Sequence, residues 1–354
     1  MIPRSNLASA IVQPELSILE TVKAIEAGGI QAVLVATGDA KLVGVATDGD
    51  IRRGILRGVT LDAPVMLVMN TQPAVLSPSA SREQALVLMA KLRIRQIPVT
   101  DAAGTIVGIH HADMPGAEAE GEGHWAVIMA GGRGTRLHPL TQTTPKPMLK
   151  VGGRPLIETI VRNLIGEGFR RIYISVNYMT EVFKYHFGDG SQFGADIRYI
   201  EETTRLGTAG ALGLMQERPP GPFLVMNGDL LTSVNLKSLI AYHNENHGLC
   251  TMCVRDYRVQ IPYGVVETHA GQVSAIAEKP TKNFFVNAGI YVVEPSLLAR
   301  IKPGEYLDMT KLIEGVIADN VRVNSFPIHE YWLDIGHADD LQRAREEFDE
   351  VFGQ

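Results

Sequence analysis

The stretch Trp125 to Met148, WAVIMAGGRGTRLHPLTQTTPKPM, holds the residue types that a polyphosphate site needs. Its apolar run Trp125–Ala130 predicts a buried strand that empties into Gly131-Gly132-Arg133-Gly134-Thr135-Arg136, and Lys146 follows between Pro145 and Pro147. Glycines at the end of a strand let backbone N–H groups approach a phosphate closely, because no Cβ stands in the way. Arg136 and Lys146 then offer fixed positive charge where phosphate charge develops. The loop is not a Walker A motif, since no Gly-Lys-Ser/Thr follows. Nor is it the dinucleotide fingerprint, because Leu137 stands where the third glycine belongs. Two carboxylates occupy comparable places. Phe223-Leu224-Val225-Met226 predicts an apolar strand ending at Asn227-Gly228-Asp229, and Tyr331-Trp332-Leu333-Asp334-Ile335-Gly336 puts Asp334 in a strand-to-helix turn. An aspartate just past a buried strand suits Mg²⁺, which binds one or two carboxylates and fills its shell with water and substrate phosphate. Each aspartate, taken singly, reads equally as a turn residue or helix cap.

The elements that must position these groups follow from periodicity. From His124 onward apolar strands alternate with helical stretches: Ala126–Ala130, helix Ile157–Glu167, Arg171–Val176, helix Glu181–Phe187, Ile197–Glu201, helix Ala209–Gln216 and Phe223–Asn227. Such alternation predicts an α/β domain with a mainly parallel sheet, which presents ligands at the carboxyl ends of its strands. Further strands are expected at Cys250–Arg255, Gly264–Thr268, Val273–Glu278 and Ala288–Val293. The N-terminal third repeats itself at a constant offset: Ile11-Val12-Gln13-Pro14 matches Val75-Leu76-Ser77-Pro78, and Val43-Gly44 matches Val107-Gly108. Each copy reads as an extended lead-in, a helix (Ile18–Ala27; Arg82–Leu92) and two apolar strands (Ala32–Ala36 and Leu42–Ala46; Gln96–Thr100 and Ile106–His110). Units this small pack against each other to bury their apolar faces. The expected organisation is therefore a pair of repeats over 1–115, divided at about 62/63, a small acidic linker at 116–123, and the α/β domain over 124–354.

Composition narrows the function. A formal net charge of −6 argues against a nonspecific nucleic-acid binder, so any phosphate site must be locally basic. No window supplies the roughly 20 uninterrupted apolar residues of a membrane span, and MIPRSNLASAIVQPE lacks the apolar core of a signal peptide. A cytoplasmic protein is expected. Cys250 and Cys253 are the only cysteines; without a second ligand pair, their C-x-x-C spacing reads as core packing.

Joined to Thr135-Arg136-Leu137 and Pro145-Lys146-Pro147, the glycine loop resembles the signature of the sugar-1-phosphate nucleotidyltransferases. Further segments follow in that family's order: Leu206-Gly207-Thr208-Ala209-Gly210-Ala211-Leu212, Pro262-Tyr263-Gly264-Val265-Val266-Glu267, Glu278-Lys279-Pro280 and Asn287-Ala288-Gly289-Ile290-Tyr291. The resemblance covers His124 to about Phe348 and implies a Rossmann-like, GT-A-like fold. It implies that Gly131, Gly132, Gly134, Thr135 and Asn227 hold the nucleotide, with Gly207, Thr208 and Ala209 beside the base. It also implies that Arg136 and Lys146 act on the triphosphate and that Asp229 and Asp334 hold Mg²⁺. Lys279 would grip the sugar phosphate, and Tyr263, Gly264, Glu278 and Asn287 the sugar. The Leu206–Gly210 loop is similar to that of mannose-1-phosphate and glucosamine-1-phosphate guanylyltransferases, so GTP and a sugar 1-phosphate are the expected substrates. Uridylyl or thymidylyl transfer is the alternative within the class, and a non-catalytic nucleotide-sugar sensor the alternative outside it. The first repeat closes on Gly44-Val45-Ala46-Thr47-Asp48-Gly49-Asp50-Ile51, which resembles a CBS module. Thr47 and Asp50 would then contact the ribose of a purine nucleotide, and the pair would assist regulation and homo-oligomer assembly. The second copy carries His110 where threonine would be expected, so the two half-sites should be unequal.

Overall fold

The computed structural model describes residues 1–92, 94–112 and 123–352. They fall into two compact units, Met1–Gly121 and Glu122–Gln354. The linker expected at 116–123 lies, apart from Gly123, outside the described residues, as do Asp113 and Met114 at the close of the second repeat.

The N-terminal unit holds two three-stranded sheets, one built by the first repeat and one by the second repeat with Ile2–Pro3 from the start of the chain. The first carries Ile11–Val12 parallel to Ala32–Ala36, which pairs antiparallel with Leu42–Thr47. The second pairs Ile106–His111 antiparallel with both Gln96–Thr100 and Ile2–Pro3. A helix that the sequence reading omitted, Asp48–Leu56, follows the first sheet. Its opening Asp-Gly-Asp looks like a turn, yet Thr47 and Asp50 form a reciprocal capping box there. Arg52, fully buried, reaches Asp48 at 2.6 Å across one helical turn.

The second unit is built on a seven-stranded sheet in the order 196–201, 171–176, 125–129, 223–227, 281–293, 250–260, 323–328. Neighbours are parallel except around Thr281–Val293, which runs antiparallel to both of its partners. The mainly parallel α/β architecture expected from the alternation is the one observed. Its central strands are apolar throughout because both faces are covered. Along Trp125–Met129, Ala126 and Ile128 enter one core while Trp125 and Val127 enter the other. Helix Leu156–Gly166 covers the first face with Ile157, Ile160, Val161 and Leu164. Cys250 and Cys253 are both buried and lie in different cores; burial pushes the Cys250 thiol up to about 12. They pack on opposite faces of the sheet and form no disulfide with each other.

Two differences from the sequence reading matter for the site. The helix expected over Ala209–Gln216 is a single α-turn, Gly207–Gly210, followed by a 3-10 turn, Ala211–Leu214. The Ala209 and Gly210 N–H groups donate to the carbonyl of Leu307 rather than into a longer helix. Strands Cys250–Gln260 and Thr281–Val293 also run further than expected and form a ribbon. Beyond it, Val265–His269 pairs with Gln272–Ala277 as an exposed hairpin.

His243 sits 1% exposed, its Nδ1 2.8 Å from Thr251 Oγ1 and its Nε2 3.2 Å from Glu294. Burial holds its pKa below the ordinary 6.5, against the opposing pull of Glu294. The unfolded chain therefore takes up this proton first as pH falls. The contribution is full above the unfolded value and lost as pH drops below 6.5 towards the folded one. Denaturant melts from pH 7.5 to 5 should show stability falling with acidity, and His243→Asn should flatten that slope. An unchanged slope contradicts the assignment.

Candidate active site

The chain order of the sheet locates the site. From 125–129 the chain moves outward to 171–176 and 196–201, then returns to 223–227 on the opposite side of the first strand. Ligands of open α/β sheets bind outside the strand ends at such a reversal. The glycine loop leaves one of these two strands and Asp229 follows the other, with Gly228 N–H donating to Met129 O at 2.9 Å. A cavity of about 420 Å³ opens there, lined by the 129–136 loop, Lys146, Pro147, Glu202, Arg205, Gly207, Thr208, Asn227, Asp229, Asp308 and Gly336.

Gly134 takes φ +62°, and a Cβ on it would lie 2.9 Å from Lys146 Cβ. An alanine there meets both backbone strain and the lysine stem. Thr141, fully buried, donates its hydroxyl to Gly134 O at 2.8 Å and fixes the loop from beneath. Lys146 opens a 3-10 turn closed by Met148 N–H to Pro145 O at 2.8 Å. Its side chain is buried, and the ammonium donates to Asp229 while standing 3.9 Å from Asp334. Asp334 arrives from the far end of the sequence, because Leu230–Thr232 pairs antiparallel with Trp332–Asp334 and sets Leu230 opposite Asp334. Ile335 N–H donates to Asp229 O at 3.1 Å, tying the two aspartate loops together. Burial and the neighbouring Asp229 charge raise the Asp334 pKa, while Lys146 and Arg136 oppose them. A carboxylate whose proton affinity is raised by a second carboxylate beside it suits a divalent cation. Among the described residues no cluster of three or more His, Cys, Asp or Glu stands ready as a closed metal cage, and Mg²⁺ does not require one.

The Gly207–Gly210 turn, expected beside the base, is held by reciprocal bonds. Thr208 N–H donates to Asp308 Oδ1 at 3.2 Å, and Met309 N–H to Thr208 Oγ1 at 2.8 Å. Ala209 is fully buried in the core and does not line the cavity. The sequence reading missed Glu202. It is 8% exposed, accepts from Ser175 Oγ at 2.7 Å and from Leu206 N–H at 2.9 Å, and pairs with no lysine or arginine among the described residues. A Cβ on Gly131 would come within 2.6 Å of its Oε1, so the first loop glycine makes room for this carboxylate. Its signal was local: an acidic residue immediately past the strand Asp196–Glu201, on the side of the sheet where the glycine loop lies.

The expected sugar-side residues do not line the cavity. Gly264 and Glu278 meet at the base of the hairpin, where a Cβ on Gly264 would stand 3.0 Å from Glu278 Oε2. Tyr263 is exposed, and Lys279 is exposed with φ +45°. Asn287, also exposed, donates to Tyr291 OH at 2.6 Å and accepts from Gly289 N–H at 3.0 Å. In the N-terminal unit, Thr47 Oγ1 donates to Asp50 Oδ2 at 2.7 Å while Asp50 Oδ1 pairs with Arg53 at 2.7 Å. His110 is 4% exposed and burial lowers its pKa.

The nucleotidyl transferase family model matches residues 125–350, and the CBS domain model matches residues 2–57 and 65–109. The chain is 32% identical over 229 residues to the mannose-1-phosphate guanyltransferase of Aspergillus fumigatus, across 61% of this chain and 62% of that protein. It is 32% identical over 229 residues to the mannose-1-phosphate guanylyltransferase of Mycobacterium tuberculosis, across 62% and 63%. The chain thus spans less than two thirds of the length of these curated relatives. Among solved structures it resembles a Bacillus anthracis protein assigned as a glucose-1-phosphate thymidylyltransferase, in complex with a sucrose. That match has a TM-score of 0.52 and 26% identity, covering 63% of this chain and 94% of that one.

Proposed function

The chain belongs to the nucleotidyl transferase family, with CBS domains at its N-terminus, and from that premise we propose that it transfers a guanylyl group from GTP to a sugar 1-phosphate. The observation that carries this reading is the meeting of a glycine loop, Lys146, Asp229 and Asp334 at the reversal point of the sheet. The reaction forms a bond from a sugar-phosphate oxygen to the α-phosphorus of the nucleotide and breaks the bond to the departing pyrophosphate. Its nucleophile is already an anion, so no general base is required. The difficulty is bringing two polyanions into line, a task of positioning and neutralisation. Loop N–H groups around Gly131, Gly132, Gly134 and Thr135 hold phosphate oxygens, and Arg136 and Lys146 balance the charge on the triphosphate. Asp229 and Asp334 are the groups that would hold Mg²⁺, which supplies further neutralisation of phosphate charge. Asn227, beside Asp229 on the cavity wall, orients the nucleotide.

Guanine is favoured by Glu202. A carboxylate accepts only, and guanine presents its N1–H and amino donors side by side. Adenine and cytosine turn a ring acceptor to the same place, and uracil or thymine offers one N–H flanked by carbonyls. Each Glu202 oxygen already accepts one bond and keeps a second lone pair for the base. The relatives named for guanylyl transfer support this choice.

Sugar-side contacts come from the ribbon and hairpin, with Lys279 on the sugar phosphate and Tyr263, Gly264, Glu278 and Asn287 around the ring. Lys279→Ala should raise the KM for the sugar 1-phosphate by about tenfold or more while leaving the KM for GTP nearly unchanged, as befits loss of one charged contact. A variant that perturbs only the GTP constants contradicts this placement. The CBS pair is read as a regulatory and homo-oligomerisation module that takes a purine nucleotide at Thr47 and Asp50. The direct test of the whole reading is pyrophosphate release from an NTP in the presence of a sugar 1-phosphate.

A further inference from the structure

Lys146 lines the cavity at the glycine loop, yet its ammonium is spent on Asp229 and Asp334. We propose that Lys146 is the resting counter-ion of the Asp229–Asp334 pair and keeps a divalent cation out until the phosphates of a nucleotide draw the ammonium away. The inference rests on the reading of Asp229 and Asp334 as the metal carboxylates.

The geometry supports an exchange made by the tip of the side chain alone. The backbone of Lys146 is fixed by Pro145, Pro147 and the 3-10 turn, and its Cβ packs beneath Gly134. The residue is only 7% exposed, so its ammonium gives up water for the carboxylate bond it makes. Two aspartates facing one another with no cation between them would repel; the lysine leaves the pair with a single net negative charge. A divalent ion arriving alone must displace a bonded, desolvated ammonium that pairs with no third carboxylate among the described residues. Phosphate oxygens in the glycine loop provide another partner, since the loop and the ammonium share one cavity. Rotation of the terminal methylenes then moves the charge from carboxylates to phosphates and opens the pair to the cation. Metal and nucleotide thereby become linked ligands, each tightening the other by the same factor.

The test is a nucleotide-free titration of the full chain with Mn²⁺, read from the paramagnetic resonance signal of the free aqua ion. Lys146→Met should bind Mn²⁺ at least about tenfold tighter than the wild-type chain, and Asp229→Asn added to Lys146→Met should abolish the gain. Lys146→Gln, with thermal melts on every variant, gives a second reading of the same sign should the methionine disturb folding. Equal or weaker Mn²⁺ binding in both lysine variants, with the Asp229→Asn combination weaker still, overturns the counter-ion role and leaves the metal carboxylates standing. A gain that survives Asp229→Asn and Asp334→Asn places the cation elsewhere and overturns both.

Discussion

Asp229→Asn should remove most turnover, by roughly 100-fold or more, on the scale of the several kcal/mol of charge stabilisation that a catalytic metal supplies. Asp334→Asn should do the same. Neither change alters side-chain volume appreciably, and neither residue belongs to the apolar core: Asp229 lines the cavity, and Asp334 ends its strand beside Lys146. Thermal melts should therefore stay close to wild type while pyrophosphate release collapses. Asp229 has the more demanding position, since its carboxylate holds Lys146 and its backbone carbonyl accepts from Ile335. Only the first of these is touched by the amide. Near-wild-type rates for either variant in saturating Mg²⁺ would remove the carboxylate pair from the mechanism.

Glu202→Gln should lower kcat/KM for GTP by about tenfold or more and move preference towards UTP or dTTP. The fold tolerates the exchange. The amide oxygen still accepts from Leu206 N–H, and the amide nitrogen donates to Ser175 Oγ, whose hydroxyl turns to accept. What changes is the edge offered to the base: one donor and one acceptor replace two acceptors. Guanine then leaves a donor unpaired against a buried side chain, and sites built around buried polar groups discriminate by that penalty. Competition between GTP and UTP, measured before and after the substitution, reads the effect directly. An unchanged ratio would mean that the base is chosen elsewhere, with Asp308 the next group to examine on the same cavity wall.

Much of this architecture was legible because burial writes itself into the sequence. The strands Ala32–Ala36, Arg171–Val176 and Phe223–Asn227 fall where their apolar runs put them, since a strand covered on both faces must be apolar along its length. The glycine loop was legible for a similar reason, as few residues other than glycine fit against Lys146 and Glu202. Helix Asp48–Leu56 was hidden because its apolar side is short, Ile51 and Ile55 alone, and its start rests on a capping box and a buried arginine. The ribbon beyond Arg255 was foreshortened because its residues are exposed, so no burial pattern records it. Glu202 was missed for want of partners: Ser175 and Leu206 belong to other elements, and only the folded sheet brings them to one carboxylate. Asp334 had the opposite fortune. Its sequence distance from Asp229 is large, but antiparallel pairing of two three-residue strands closes it.

The measurement that bears most directly on the central claim is a pyrophosphate-release screen of the full chain. It sets ATP, GTP, CTP, UTP and dTTP against a panel of hexose and hexosamine 1-phosphates with Mg²⁺, and mass spectrometry identifies the second product. The account predicts pyrophosphate together with a GDP-sugar, GTP being the best donor and Asp229→Asn abolishing both products. A tenfold advantage for UTP or dTTP would overturn the base assignment and leave the class intact. Nucleotide binding with no pyrophosphate from any pair would contradict the account at its centre and leave a sensor in place of an enzyme.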